Sequence, residues 1–360
     1  MKLIPHTDSQ TRNNRIQEHT MFSTFLQSRE RGDVNERLGH EVIRYDIVEA
    51  KGEERKEDTK IWCLQLIKHT AKRWTYLLCP HGPVRDNAQC TMHNAQLSIL
   101  ANLLREIAHE QHASFVRLCP LEPSSQASLE MYQQAGLRYA PLHAHTEESN
   151  ILDLTSDTDV LLKHMRETTR YMIKRAAKEW VKVYKDNSPD RINQFYERHL
   201  RHAQRTNGKL NYSPFSKDFI VSLFEIFDAN DISLFVAEYE WQVEAMVVSI
   251  IYGQHAAYYL GVSDIQHPKF SPAYICQREA IQYAKTRWCT DYNFRWVPPD
   301  ANKKHPLYGP GLFKRWFGGK DIALTHAHDL IVNPLSYSVT RLIEKYRAWK
   351  RGYYYVRPIN

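Results

Sequence analysis

The sequence predicts an α+β protein of two units joined near residue 150. Two observations carry that reading: strand-like and helix-like patterns alternate in both halves of the 360-residue chain, and no 20 to 50 residue repeat or low-complexity tract points to a solenoid. With 42% hydrophobic and 25% charged residues the chain can bury a sizeable core without disulfide or metal staples. Its longest strongly apolar stretch, residues 245–251, is far too short to span a bilayer. The leader MKLIPHTDSQ lacks an apolar run, so no signal peptide and a cytoplasmic location are expected.

Taken in order, residues 41–49 and 61–69 read as strands around an exposed turn, AKGEERKEDTK, and residues 74–79 as a third strand ending at Pro80. Residues 95–112 have helical spacing through Leu97, Leu100, Leu103, Leu104 and Ile107, and residues 114–118 form a strand stopped before Pro120. In the second half, residues 151–154 read as a short strand. Ser156 and Asp159 then resemble a capping box opening one helix over residues 157–180. Strands follow over 235–239, 245–252 and 256–261, then a helix over 272–286, a strand over 291–296, a glycine-rich loop and a basic C-terminal helix.

Formal net charge is +7, which suits an anionic partner. Arg166, Arg170, Lys174 and Lys178 recur every four residues and form one cationic stripe, which a phosphate-rich ligand or plain solvent could face. The C-terminal helix interleaves Arg341, Lys345, Arg347, Lys350 and Arg351 with Tyr346 and Trp349, and is read as docked by Leu342, Ile343 and Tyr346. In HPLYGPGLFKRWFGGK, glycines bracket Phe313, Lys314, Arg315, Trp316 and Phe317, where an aromatic beside two cations could stack on a base and neutralise an anion. A glycine-capped turn with buried aromatics is the alternative. His143 with His145, or His326 with His328, would share a strand face, but no carboxylate or cysteine stands at a supporting spacing, and no metal is expected. Six cysteines without a CxxC pair are read as reduced and mostly buried. The GxSxG, HExxH and GxGxxG signatures are absent.

Several motifs in one order resemble the FemABX family, which transfers amino acids from aminoacyl-tRNA to peptidoglycan precursors. Phe25-Leu26-Gln27-Ser28 resembles its FLQS element, and Pro80-His81-Gly82-Pro83-Val84 its GPV turn. Leu152-Asp153-Leu154 with Thr169-Arg170-Tyr171 and Lys174-Arg175-Ala176 resembles its LDL strand and TRYxxRxA helix, and Phe313-Lys314 with Phe317-Gly318-Gly319 its FKxxFGG motif. Met131 to Leu137 resembles the end of a GNAT-type acyltransferase helix.

The resemblance implies two GNAT-like domains in tandem without a large coiled-coil arm: residues 1–152 completed by 325–360, and residues 153–324, with substrate in a cleft between them. It implies Lys314 as the catalytic residue at the oxyanion and Phe313 beside the terminal adenosine. Arg170, Lys174, Lys209, Arg205 and Arg117 become candidates for holding substrate or tRNA phosphates. Lys209 stands where relatives carry arginine, and Cys119, in VRLCP, where they often carry an acid. Arg295-Trp296-Val297 stands where a glycine is usual. The implied donor is aminoacyl-tRNA, with no separate cofactor. The implied acceptor is a lipid-linked or UDP-linked muropeptide, met by a monomer in peripheral contact with the inner membrane face. An acyl-CoA-dependent N-acyltransferase and a noncatalytic RNA-binding protein are the alternatives.

Overall fold

The computed structural model describes residues 1–5, 13, 24–49, 59–71, 74–85, 94–205, 214–263, 271–298, 303, 305 and 307–351. The chain divides into Met1–Glu147 with Ala323–Asn360, and Glu148–Ile322. The predicted charged turn between the first strands lies, over 50–58, outside the described residues.

The first unit holds β1 (Lys2–Pro5), α1 (Arg29–Arg37), β2 (Glu41–Glu49), β3 (Thr59–Ala71), β4 (Trp74–Pro80), β5 (Val84–Arg85), α2 (Asn94–Glu110), β6 (Phe115–Cys119), α3 (Gln126–Gln134) and β7 (Leu137–Tyr139). The sheet runs β1-β2-β3-β4-β6, then takes a strand from the C-terminal segment, His328–Ile331, before β7. β2, β3 and β4 form an antiparallel meander, and β4 and β6 lie parallel across α2. The helical spacing of α2 is explained by burial of Leu97, Leu100, Leu104 and Ile107 against Leu64, Leu66, Leu77 and Val116.

The second unit repeats this module. It holds β8 (Glu148–Asp153), α4 (Thr158–His164), α5 (Glu167–Lys178), β9 (Lys182–Lys185), α6 (Pro189–Arg205), α7 (Lys217–Ile226), β10 (Ile232–Tyr239), β11 (Gln242–Tyr252), β12 (His255–Ser263), α8 (Pro272–Thr286), β13 (Asp291–Asn293), α9 (Tyr308–Arg315) and β14 (Lys320–Ala323). Its sheet runs β14-β8-β13-β12-β11-β10-β9. β10, β11 and β12 form the meander, and β12 and β13 lie parallel across α8. In each unit an antiparallel strand from outside the module flanks the second parallel strand: β8 here, and in the first unit β15 (His328–Ile331). The chain ends in α10 (Pro334–Arg351), and no described helix is longer than these 18 residues. No helix among the described residues is long and apolar enough to cross a membrane.

Four sequence expectations change. A boundary at 152/153 would cut β8, whose ladder with β13 keeps it whole in the second unit. The single helix over 157–180 is two, because Met165 and Arg166 are extended (ψ 148° and 142°) and the Arg166 amide donates to the Trp316 carbonyl at 2.9 Å. The glycine-rich loop contains α9, since Pro310 is tolerated in a first helical turn. The C-terminal helix does not dock by Leu342 and Tyr346, which are 68% and 61% exposed. It buries Tyr337 and Thr340 instead.

Two distant motifs of the first unit meet. The Gln27 side-chain amide donates to the Pro80 carbonyl at 2.7 Å and to the Gln65 carbonyl at 3.2 Å, and its oxygen accepts from the Gln65 amide at 2.9 Å. A Cβ at Gly82 would lie 2.8 Å from that amide, so the FLQS element and the GPV turn are two halves of one buried contact.

Candidate active site

In the second unit, β13 ends at Asn293, three residues short of the expected strand. The Phe294 amide still donates to the Asn150 carbonyl (2.8 Å), and the Val297 amide to the Glu148 carbonyl (3.0 Å), so pairing with β8 resumes after Arg295 and Trp296 have looped out. Both looped residues take left-handed φ, 50° and 40°, a conformation costly for side chains of this size. Asn293 starts the turn by accepting the Arg295 amide on its Oδ1 at 2.8 Å.

The looped-out carbonyls have a partner. Lys314, in the last turn of α9, donates its Nζ to the Arg295 carbonyl at 2.6 Å and to the Trp296 carbonyl at 3.0 Å, with the ring of half-buried Tyr258 5.5 Å away. Burial of the ammonium, reinforced by the Arg295 charge, brings the Lys314 pKa down to about 7. An ammonium has three hydrogens and the carbonyls take two, leaving a third for an incoming oxygen.

The rest of the FKxxFGG segment fixes this placement. Phe317 is fully buried, and Phe313 is half-buried with its ring edge-on to Tyr274 and Phe317, at centroid distances of 5.0 and 5.3 Å. Arg315 Nε donates to Asp321 at 2.6 Å, and Asp321 accepts from Asn150 at 2.9 Å. Gly318 has φ +96° and lies where a Cβ would meet the His164 carbonyl at 2.8 Å. Together with the Trp316 carbonyl on Arg166, this anchors the loop at the break between α4 and α5.

The predicted binding residues divide. Arg166 lies 4.5 Å over the Trp316 ring, and Arg170 Nη1 donates to the carbonyls of Lys163 (3.0 Å) and Met165 (2.5 Å). Half the cationic stripe thus closes the helix break, while Lys174 and Lys178 are exposed. Lys209 and the side chain of Arg205 lie outside the described residues. Arg117 is placed against carboxylates and not toward a phosphate-binding surface: it is 4% exposed, with Nε and Nη2 on Asp329 at 2.7 and 2.9 Å and Nη1 and Nη2 on Glu344 at 3.0 and 2.8 Å. Burial works against its charge, but Asp329 and then Glu344 raise its pKa further. Cys119 is buried, which pushes its thiol pKa up, with Glu147 adding. The described cysteines are all buried. Sequence reasoning missed the carbonyl pair that receives Lys314, and an Asn two residues before a looped-out Arg-Trp is the only local signal for it.

A family model described as an acetyltransferase (GNAT) domain matches residues 163–304. No curated protein sequence matches the chain. Among solved structures, FemX is similar at 16% identity over 96% of this chain and 100% of its own, with a TM-score of 0.77. A tandem GNAT protein from the clavulanic acid biosynthesis pathway is similar at 10% identity over 92% and 99%, with a TM-score of 0.54. A conserved protein from Bacteroides thetaiotaomicron is similar at 11% identity over 91% and 98%, with a TM-score of 0.57. The chain therefore has the FemX fold, two GNAT-like units in tandem, with the GNAT-domain model matching within the second, as its FemABX-like motifs imply.

Proposed function

We propose that the chain is an aminoacyltransferase that moves an amino acid from aminoacyl-tRNA to the amine of a lipid-linked or UDP-linked muropeptide. The observation that carries this reading is Lys314, tethered by two strained carbonyls with one hydrogen to spare. The acceptor amine attacks the ester carbonyl, a C–N bond forms, and the third Lys314 hydrogen stabilises the tetrahedral oxyanion. Collapse breaks the ester C–O bond, and the proton lost by the amine goes to the departing ribose hydroxyl. Phe313 is the residue we assign to the donor's terminal adenosine, and Arg170 and Lys174, with Lys209 and Arg205, to phosphate groups.

Acyl-CoA is the less favoured donor. Enzymes that hold its pyrophosphate on this fold use glycine-rich backbone at the start of the helix crossing between the parallel strands. Here α2 and α8 are those helices, and neither 84–94 nor 262–272 contains a glycine. Purified protein given a mixture of charged tRNAs with both muropeptide types is expected to yield a product heavier by one amino-acid residue. Tight acetyl-CoA binding with no product from any charged tRNA would reject the reading.

Membrane contact fits α10. Leu335, Val339, Leu342, Tyr346 and Trp349 are 84, 49, 68, 61 and 75% exposed, and at about 100° per residue all fall within about 40° of one line. The helix's one acid, Glu344, is turned inward on Arg117, while the helix sequence also carries Arg341, Lys345, Arg347, Lys350 and Arg351. An apolar stripe among basic residues is suited to an anionic lipid surface. Binding to vesicles rich in phosphatidylglycerol, and not to phosphatidylcholine, is expected to fall roughly tenfold in Leu342→Glu. Equal binding by both proteins, or a dimer that Leu342→Glu dissociates with no vesicle binding, would refute it.

A further inference from the structure

The first unit brings His326 from the C-terminal segment onto His143 and Glu147, which stand four residues apart in sequence. Residues 141–147 form an irregular connection and not a strand, so the expected pairs are split: His143 and His326 converge on Glu147, while His145 packs edge-on to His81 and His328 stacks on Tyr132. The expectation that no carboxylate stands at a supporting spacing is corrected by Glu147, four residues after His143, which the irregular connection turns toward both histidines. One ligand atom from each of His143, Glu147 and His326 lies within 4.8 Å of the others. The Leu324 amide donates to the Glu147 carbonyl at 2.6 Å and the Ala140 amide to the Ala327 carbonyl at 2.9 Å, fastening the connection to the returning C-terminal segment.

The proton count around His326 is the telling feature. Its Nε2 lies 2.8 Å from the Ala140 carbonyl. A carbonyl oxygen only accepts, so Nε2 carries a hydrogen, and in a neutral imidazole Nδ1 is then a bare lone pair. That Nδ1 lies 2.7 Å from Glu147 Oε2, and His143 Nδ1 approaches the same oxygen, while Oε1 accepts the Ala327 amide at 3.1 Å. Tyr139 stacks on the His326 ring at 4.0 Å and holds its plane. A nitrogen lone pair facing a carboxylate oxygen calls for positive charge there, either a second proton on His326 or a cation that both groups share.

We propose that His143, Glu147 and His326 bind a divalent transition-metal ion of the zinc class. One dication would satisfy the bare nitrogen, the second imidazole and the shared carboxylate oxygen together, whereas protons alone require a doubly protonated His326. Two imidazoles and a carboxylate are a borderline-soft donor set. The Ala140 carbonyl holds the His326 tautomer as outer-sphere partners of metal-bound histidines do. His143 is 30% exposed against 11% for Glu147 and 4% for His326, so it is the side from which the ion enters. Ligand atoms around a tetrahedral zinc stand about 3.3 Å apart, so the ion's entry requires the 2.7 Å His326–Glu147 contact to widen as well as His143, outside any regular element, to move. The bound ion would staple the β7–β8 connection to the strand that completes this unit, a stabilising role separate from Lys314.

The full chain, stripped with chelator and dialysed, is titrated with zinc against a chromophoric competitor and with cobalt(II) by absorption. One equivalent of zinc per chain is expected, with a cobalt spectrum typical of nitrogen and oxygen ligands and a rise in thermal midpoint. His143→Ala, at the exposed ligand, is expected to fold and to weaken zinc binding at least about tenfold, and Glu147→Gln to do the same. Failure of the native chain to take up stoichiometric zinc would overturn the proposal, as would binding unchanged in both variants. A midpoint that responds to pH across about 5 to 8 but not to zinc would overturn it in favour of a histidinium.

Discussion

Lys314→Ala is expected to lower the rate of aminoacyl transfer by about 10²- to 10³-fold while leaving the chain folded, because one oxyanion donor in a preorganised site contributes on the order of 3 to 4 kcal/mol to the barrier. The side chain as a whole is half-buried and belongs to no core cluster, so its truncation is expected to leave the fold in place. A pH profile separates this role from a structural one. Burial, with Arg295 adding, brings Lys314 to about 7, and a donor must be protonated, so the rate attributable to Lys314 falls as pH rises through about 7. Stability moves the other way. A lysine whose pKa drops from its ordinary value near 10.5 to about 7 on folding is protonated more in the unfolded chain between those values. The folding penalty is complete below about 7 and lifted as pH rises toward 10.5. Near-normal turnover in Lys314→Ala, or a transfer rate that climbs with pH through 7 in parallel with stability, would remove Lys314 from the reaction as an oxyanion donor.

The elements that read well from sequence are those whose pattern and burial agree. In α2 the leucines at helical spacing face Leu64, Leu77 and Val116, and in the meander β10-β11-β12 nearly every residue of β11 is buried, as an apolar run predicts. The misread places are those where a distant segment decides the backbone. Nothing between Ser156 and Trp180 breaks a helix by propensity; the break at Met165 is made by the Trp316 carbonyl and by Gly318 against His164, some 150 residues away in sequence. The looped-out Arg295 and Trp296 are equally illegible, since both residues disfavour left-handed φ and are held there by pairing on either side and by Lys314. The sequence motifs of the second unit thus marked segments that the fold brings into contact with one another. What they could not convey is that the catalytic candidate depends on carbonyls from a stretch with no motif at all. Glu147 is the same lesson in the first unit, because its partner His326 is 179 residues away.

Arg117→Ala is expected to destabilise the first unit by about 3–5 kcal/mol, the usual cost of breaking a buried ion pair from one side. The guanidinium makes two bonds to each of two carboxylates, joining β6 to β15 through Asp329 and to α10 through Glu344, with Asp329 fully buried and Glu344 13% exposed. Tyr337 also donates to Asp329 at 3.0 Å, a neutral bond that cannot replace the lost charge. Removing the arginine leaves two acids close together without a counter-ion, so at least one must take up a proton and the strand from the C-terminal segment loses its main polar anchor. Arg117→Lys should recover only part of the loss, because an ammonium is a point charge and cannot pair in fork geometry with both carboxylates. Urea denaturation read at neutral pH measures the difference, and the same variants in a tRNA-binding assay distinguish the structural role from the ligand role that the motifs imply. If Arg117→Ala unfolded within about 0.5 kcal/mol of the native chain while losing affinity for tRNA, the ion network would be incidental and the guanidinium a binding group after all. A stability loss near the expected size, with tRNA affinity kept in Arg117→Lys, assigns Arg117 to holding the returning strand in the first unit's sheet.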